Sequence, residues 1–428
     1  MNPPYIQLQT AINDAGEKLG DRYADMNYET FAKTGDIYCL FFERAIEMTV
    51  NHGYDAWICS DKWMKAGYGK ATRQYLASHG NMLVLIEVGA GVFEAATVNT
   101  EISFYQKVQR KELTYNAKSL ELSGKSLQTL TEGDIVNISL GKKGDPITIL
   151  PVEAQAIIKK MQKIGTPLSN WDISINRGIV TGLNDAFIIS GEKKDELIAE
   201  DSKSAEIIKP ILRGMDIKRY VCNYADLWLI ATFPSMHYDI NEYTAIKEYL
   251  LSFGIERLEQ TGARHVIDGK EIKSRKKTSN KWFEVQDSIG YWKEFSKTKI
   301  VWGNLCRSAQ FAIADKDILV NAPSPMITPG NKYLLAVLNS KLGDWYIRQF
   351  GVERNGGYFE YKPMFVEKLP VPEISKDNQQ KFIDVVDQIL TAKKNGEDTL
   401  KMEDLLDQMV FKLYKLTDKE IEYLESIK

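Results

Sequence analysis

Cysteine and histidine are both scarce, with four of each in 428 residues. Cys39, Cys59, Cys222 and Cys306 are widely spaced and form no CxxC pair, and His52, His79, His237 and His265 show no ligand-like spacing. Neither a disulfide framework nor a zinc site is indicated. Long apolar runs are lacking as well. Stretches such as Met82 to Val88 fall far short of the ~20 residues a membrane span needs, and no charged-then-apolar signal segment opens the chain, so a cytoplasmic location is expected. Charge of one sign does not dominate: 55 Lys and Arg against 58 Asp and Glu leave a net charge of −3. Any contact with nucleic acid must therefore come from a local basic patch. What is present is a globular composition, 44% hydrophobic and 26% charged, long enough for roughly two to four domains.

The first 110 residues read as α/β. An amphipathic helix carrying Ile37, Phe41, Ala45 and Ile46 precedes a strand at Ala56 to Cys59. A helix near Thr72 to Ser78 follows, then strands at Met82 to Val88 and Thr100 to Tyr105. Residues 111–165 are polar and mixed, with a turn at Gly141 to Gly144 and a helix over Pro151 to Lys163, and are expected to connect two domains. Residues 166–373 alternate short strands (Ala186 to Ile189, Leu227 to Ala231, Lys299 to Trp302, Phe311 to Ala314) with helices at Tyr243 to Phe253 and Tyr333 to Phe350. This is the pattern of a mixed α/β domain. In 374–428 Phe382, Val385, Val386, Ile389 and Leu390, then Leu405, Met409 and Leu413, recur at helical spacing, predicting two or three packing helices.

Chemistry concentrates at Asn2-Pro3-Pro4-Tyr5. An exocyclic adenine amine is a poor nucleophile because its lone pair is delocalised into the ring. An Asn side-chain oxygen and a Pro carbonyl can each accept one amine hydrogen and pull the nitrogen toward tetrahedral geometry. The prolines stiffen the loop, and the tyrosine can stack on a base rotated out of the duplex. Alone, four residues of this kind describe an ordinary turn.

Context alters that. Asp36 to Ala45, Gly53 to Ile58, Val92-Phe93 and Asn99-Thr100-Glu101-Ile102 follow the tetrapeptide in an order that resembles the later motifs of the TaqI-like (gamma-class) N6-adenine DNA methyltransferases. The resemblance implies a Rossmann-like catalytic sheet, of which only the C-terminal half would lie in 1–110. It implies that Asn2 and the Pro3 carbonyl contact the adenine amine, that Tyr5 stacks on the ring and that Phe93 touches the flipped base. Ile37 and Phe41 match positions beside the methyl donor, although apolar residues at such spacing are core more often than site. The family's S-adenosylmethionine loop lies upstream of the tetrapeptide, where only Met1 stands here. Gly89-Ala90-Gly91 and Gly141 to Gly144 read as turns rather than a replacement. The expectation is a sheet without its N-terminal strands, with an apolar edge to be covered. It would not bind donor or methylate DNA alone, and would be a truncated piece, the product of a broken reading frame, or one half of a split enzyme whose other half a separate chain supplies.

A second resemblance covers 166–373. Asn176 to Phe187, Leu212 to Tyr220, Lys299 to Trp302, Leu335 to Ser340 and Lys368 to Pro372 look like successive signatures of the TaqI-like specificity, or target recognition, domain. The helical tail with Leu413 to Thr417 resembles the C-termini of type IIG restriction-modification enzymes. The segment 264–281 holds Arg264, Lys270, Lys273, Arg275, Lys276, Lys277 and Lys281 against Asp268 and Glu271, a local charge of +5 suited to phosphate contacts on double-stranded DNA. Arg264, Arg275, Ser274 and Asn280 are candidates for base edges. A solvated charged loop is the alternative, and Asp216 and Arg219 read equally well as an ion pair. No PD…(D/E)xK cluster stands out, so neither a metal nor cleavage is expected. The function expected is part of a site-specific adenine methyltransferase of a restriction-modification system. The alternatives are a DNA-binding specificity subunit that delivers a separate catalytic chain, or a fragment of a phage-exclusion (BREX-type) methyltransferase.

Overall fold

A computed structural model describes residues 1–89, 99–109, 112, 114–122, 131–267, 269–354 and 356–427. The chain divides into two compact units, Met1–Lys159 and Lys160–Lys428. Among the described residues no helix is long and apolar enough to cross a membrane.

The first unit is built on one five-stranded mixed sheet. Helix α1 (Tyr38–Met48) leads to β1 (Tyr54–Ser60), helix α2 (Lys70–His79) leads directly into β2 (Gly80–Gly89), and β3 (Thr100–Lys107), β4 (Thr114–Glu121) and β5 (Val136–Gly141) follow. The order is β1-β3-β2-β4-β5; β3 runs antiparallel to both β1 and β2, and β4 parallel to β2. Period-two alternation turns Trp57, Cys59, Leu85 and Tyr105 to one face, where they pack with Tyr38, Phe42, Tyr75 and Leu76 of the two helices. Ala56, Val84 and Phe104 share the other face and keep part of their surface exposed. The abrupt join between α2 and β2 depends on Gly80, since a Cβ there would lie 2.2 Å from the Gln106 carbonyl oxygen and 2.7 Å from the Tyr105 ring. The polar stretch expected to connect two domains therefore supplies β4 and β5 of this sheet. In β4 the inward residues include Ala117 and Ser119, too small and polar to show a hydrophobic alternation, whereas β5 alternates, with Val136, Ile138 and Leu140 buried.

The second unit carries several small sheets around one large apolar core. Four-stranded sheets form around Leu227–Ile230 and around Lys299–Trp302, and a two-stranded hairpin joins β6 (Arg264–Ile267) to β7 (Lys270–Lys273). Two sequence expectations change. Residues 184–187 form a helical turn before the strand Ile188–Ser190, and the helix expected over 333–350 breaks into Lys332–Asn339 and Lys341–Phe350. Ser340 causes that break: its backbone is extended and its hydroxyl accepts from the Gly343 N–H at 3.0 Å, capping the second helix. The three tail helices, Lys376–Lys394, Leu400–Leu413 and Asp418–Ser426, belong to this unit. Phe382 packs edge-on against Tyr333, the Tyr414 hydroxyl donates to the Pro370 carbonyl, and Arg219 pairs with Glu403 at 2.5 Å.

Candidate target-base and DNA-contact sites

The tetrapeptide is pinned to the free edge of β1. The Met1 ammonium donates to the Ala56 carbonyl at 2.6 Å and the Ile58 N–H donates to the Met1 carbonyl at 2.9 Å, so Met1 stands opposite Trp57 in the parallel sense. Extended backbone then alternates sides: Pro3 is buried and Tyr5 half-buried, while Asn2 and Pro4 are exposed. Beyond Tyr5 the chain is clamped again. The Ile6 N–H donates to Asp36 Oδ1 at 2.8 Å, the Ile37 N–H to the Ile6 carbonyl at 2.9 Å and the Leu8 N–H to the Gly35 carbonyl at 3.0 Å. Burial pushes the Asp36 carboxyl up, and the N–H groups of Ile6, Tyr38 and Ile37 pull it back down. Asp36 thus ties the exit of the loop to the start of α1, whose Tyr38 meets the Tyr5 ring edge-on at 6.0 Å.

The two apolar candidates separate. Ile37 is closed into a small core with Leu8 and Leu40, whereas Phe41 keeps 37% of its surface exposed. Phe93 lies outside the described residues. Sequence reasoning passed over a buried acid beneath the loop. Glu101 of β3 is fully buried, paired in register with Cys59 on one side and Glu87 on the other. Its Oε1 accepts from Cys59 Sγ at 2.9 Å and Trp63 Nε1 at 3.3 Å. Burial, aided by Asp61, lifts this carboxyl to about 7 against the pull of its donors. The signal lay in period-two alternation, since the inward positions 57, 59, 101 and 105 put Glu101 on the core side.

In the second unit, six of the seven basic candidates are exposed: Arg264, Lys270, Lys273, Lys276, Lys277 and Lys281. Arg264 and Lys273 face each other across the β6–β7 hairpin, and Arg264 pairs with Glu271 at 2.9 Å. Arg275 differs. It is 4% exposed, and its guanidinium donates to the carbonyls of Leu258, Thr181, Glu284 and Trp282 at 2.6–2.8 Å while lying over the Phe187 ring. Gly182 makes room for it, because a Cβ there would lie 2.9 Å from Arg275 Cδ, and its φ of +77° suits glycine. Ser274 and Asn280 are likewise committed, the first to Ala263 and Thr261, the second to the carbonyls of Val285 and Gln286. These three residues hold the basic segment in shape and do not offer their donors to a base edge. Nor do Asp216 and Arg219 pair with each other: Asp216 takes a bidentate contact from Arg213 and Arg219 reaches Glu403.

Residues 1–93 match the Eco57I restriction-modification methylase family, and residues 209–371 match the TaqI-like C-terminal specificity domain. A methylase-family match and a specificity-domain match thus lie in that order along one chain. Type II methyltransferase M.BstVI of Geobacillus stearothermophilus is 22% identical over 453 residues, covering 99% of this chain and 74% of that protein. Type II methyltransferase M.XhoI of Xanthomonas vasicola is 21% identical over 395 residues, covering 87% and 67%. Among solved structures, the type IIL restriction-modification enzyme MmeI in complex with DNA has a TM-score of 0.60 at 13% identity, a likeness of fold. That match covers 99% of this chain, which spans 56% of the MmeI chain. The tetrapeptide and its clamp fall in the methylase segment, and the basic hairpin falls in the specificity segment.

Proposed function

We propose that this chain acts in the N6-methylation of adenine in double-stranded DNA, the methylase segment holding the flipped target base and the specificity segment gripping the duplex. The observation that carries this reading is the anchoring of the tetrapeptide: Met1 is hydrogen-bonded to the sheet edge, Pro3 is buried, Asp36 fixes the exit, and Asn2 is left exposed. An amide on a rigid loop suits an acceptor for one amine hydrogen, with the Pro3 carbonyl as the second. Tyr5 and Phe93 complete the proposed grip on the ring.

The family implies S-adenosylmethionine in the complete enzyme, where it supplies the methyl group. Ile37 and Phe41 do not fit the whole of that group. Ile37 is used within its own cluster, and Phe41 offers apolar surface without partners for ribose or amino-acid polar atoms. What the described residues offer is on the acceptor side, namely binding the base, orienting its amine and excluding water from the ring.

Nucleoside analysis of DNA methylated by the complete enzyme is expected to yield N6-methyladenine. The Asn2→Ala variant should lower that yield at least about tenfold while leaving affinity for duplex DNA unchanged. Methylated cytosine in its place, or an unaffected variant, would remove the basis of the reading. On the DNA side, Lys276→Glu with Lys277→Glu should weaken binding to every duplex alike and reduce the slope of log affinity against log salt by about 2. An unchanged slope in a salt titration would move the phosphate contacts to another face.

A further inference from the structure

Among the buried ionisable groups of the first unit that the acceptor chemistry does not use, Glu101 lies directly under the target-base loop. Glu101 Oε1 accepts from Cys59, Trp63 and, at 3.4 Å, the Ser103 hydroxyl, whereas Oε2 is buried with no hydrogen-bond partner among the described residues. A carboxylate in this position keeps half of its acceptor capacity unfilled, a state that burial penalises.

Backbone register brings Tyr5 to the same place. With Met1 opposite Trp57, the side chains of Pro3 and Tyr5 fall on the Cys59 side of the sheet, and Glu101 is the cross-strand partner of Cys59. Tyr5 packs on the core that contains Cys59, with its phenol oxygen buried. Burial, and then the neighbouring Cys59 and Glu101, push that phenol up to about 12, so the hydroxyl keeps its proton and can only donate to a carboxylate. The other titratable groups facing Glu101 are Cys59 on β1, Glu87 opposite it on β2, and Asp61 and Lys65 at the helical turn after β1. The Cys59 thiol is raised well above its usual range by burial and by Glu101 itself, so it does not titrate near neutral pH. Asp61 is also raised by burial, and it shares a hydrogen bond with Glu87 beside Lys65.

We infer that Glu101 is a positioning residue for Tyr5: its ionised carboxylate draws the Tyr5 hydroxyl toward the sheet, and its protonated form releases the ring to stack on the target base. The step is a single proton exchanged with solvent, with no other bond made or broken. It rests on the reading of Tyr5 as the ring beside the base.

The test needs neither DNA nor methyl donor. With 3-fluorotyrosine placed at position 5 of the full chain, the ¹⁹F resonance should move through one step near neutrality when titrated from about pH 5 to about pH 9. In Glu101→Gln, which keeps the shape and the Oε1 acceptor, the step should vanish. In Cys59→Ala, which removes a donor to the carboxylate, the midpoint should move upward. A step that survives in Glu101→Gln, or a wild-type resonance that does not move with pH, overturns the inference. Circular dichroism on the same samples shows that each variant is folded. Failure here leaves adenine methylation standing, because that reading is decided by nucleoside analysis.

Discussion

Replacing Arg275 with Met is expected to destabilise the specificity-bearing unit by about 3–5 kcal/mol and to lower its melting temperature by roughly 10 °C. The side chain is buried, and its N–H groups donate to four main-chain carbonyls from three parts of the unit: Thr181, Leu258, and the pair Trp282 and Glu284. Burial pulls the guanidinium down to about 10 without discharging it at neutral pH. Methionine fills much of the volume but leaves those carbonyls without donors, at about 1 kcal/mol each. Arg275→Lys should restore little, because one ammonium cannot address a fork of four acceptors. The exposed neighbour gives the contrast: Lys276→Met should change stability by less than about 0.5 kcal/mol while weakening DNA binding. Thermal melts of the three variants check this, and a melting temperature for Arg275→Met equal to that of Lys276→Met would refute it.

That pair of neighbours also shows where sequence reasoning stops. A run of cations is visible from composition, and six of its seven members are exposed. Nothing in the run distinguishes Arg275, because a buried arginine is identified by carbonyls that come from Thr181 and Leu258, far away in the chain. The tetrapeptide was legible for the opposite reason. Its chemistry is local, and its clamp by Asp36 only adds the support that holds it in place. Strands β1, β2 and β3 announced themselves as short stretches rich in strand-forming apolar residues, Ala56 to Cys59, Met82 to Val88 and Thr100 to Tyr105. In β4 the inward positions hold Ala117 and Ser119, and the strand is stabilised by its pairing with β2 and β5 rather than by its own pattern. Glu101 fell between these cases: an acid amid strand-forming residues reads as solvent-facing until register sets it opposite Cys59.

The cost of burying that acid gives the second large effect. Glu101 titrates at about 7 in the folded chain against an ordinary value of 4.5, so the folded state holds on to its proton longer than the unfolded state does. The sign follows from that order. Below about pH 4.5 both states are protonated and the site is neutral. Between about 4.5 and 7 only the unfolded chain ionises, and stability falls as pH rises. Above about 7 the loss is complete and amounts to about 3 kcal/mol. Gln at this position cannot ionise, so Glu101→Gln should remove this decline. The variant should gain on wild type steadily from about pH 5 to about pH 8, whatever offset the amide introduces at low pH. Denaturant unfolding of both proteins across that range measures the difference in slope. Parallel curves would mean that the carboxyl stays ionised, or stays protonated, in the folded chain throughout the range. In both cases Glu101 could not exchange its proton near neutral pH, and its hold on Tyr5 would not respond to pH.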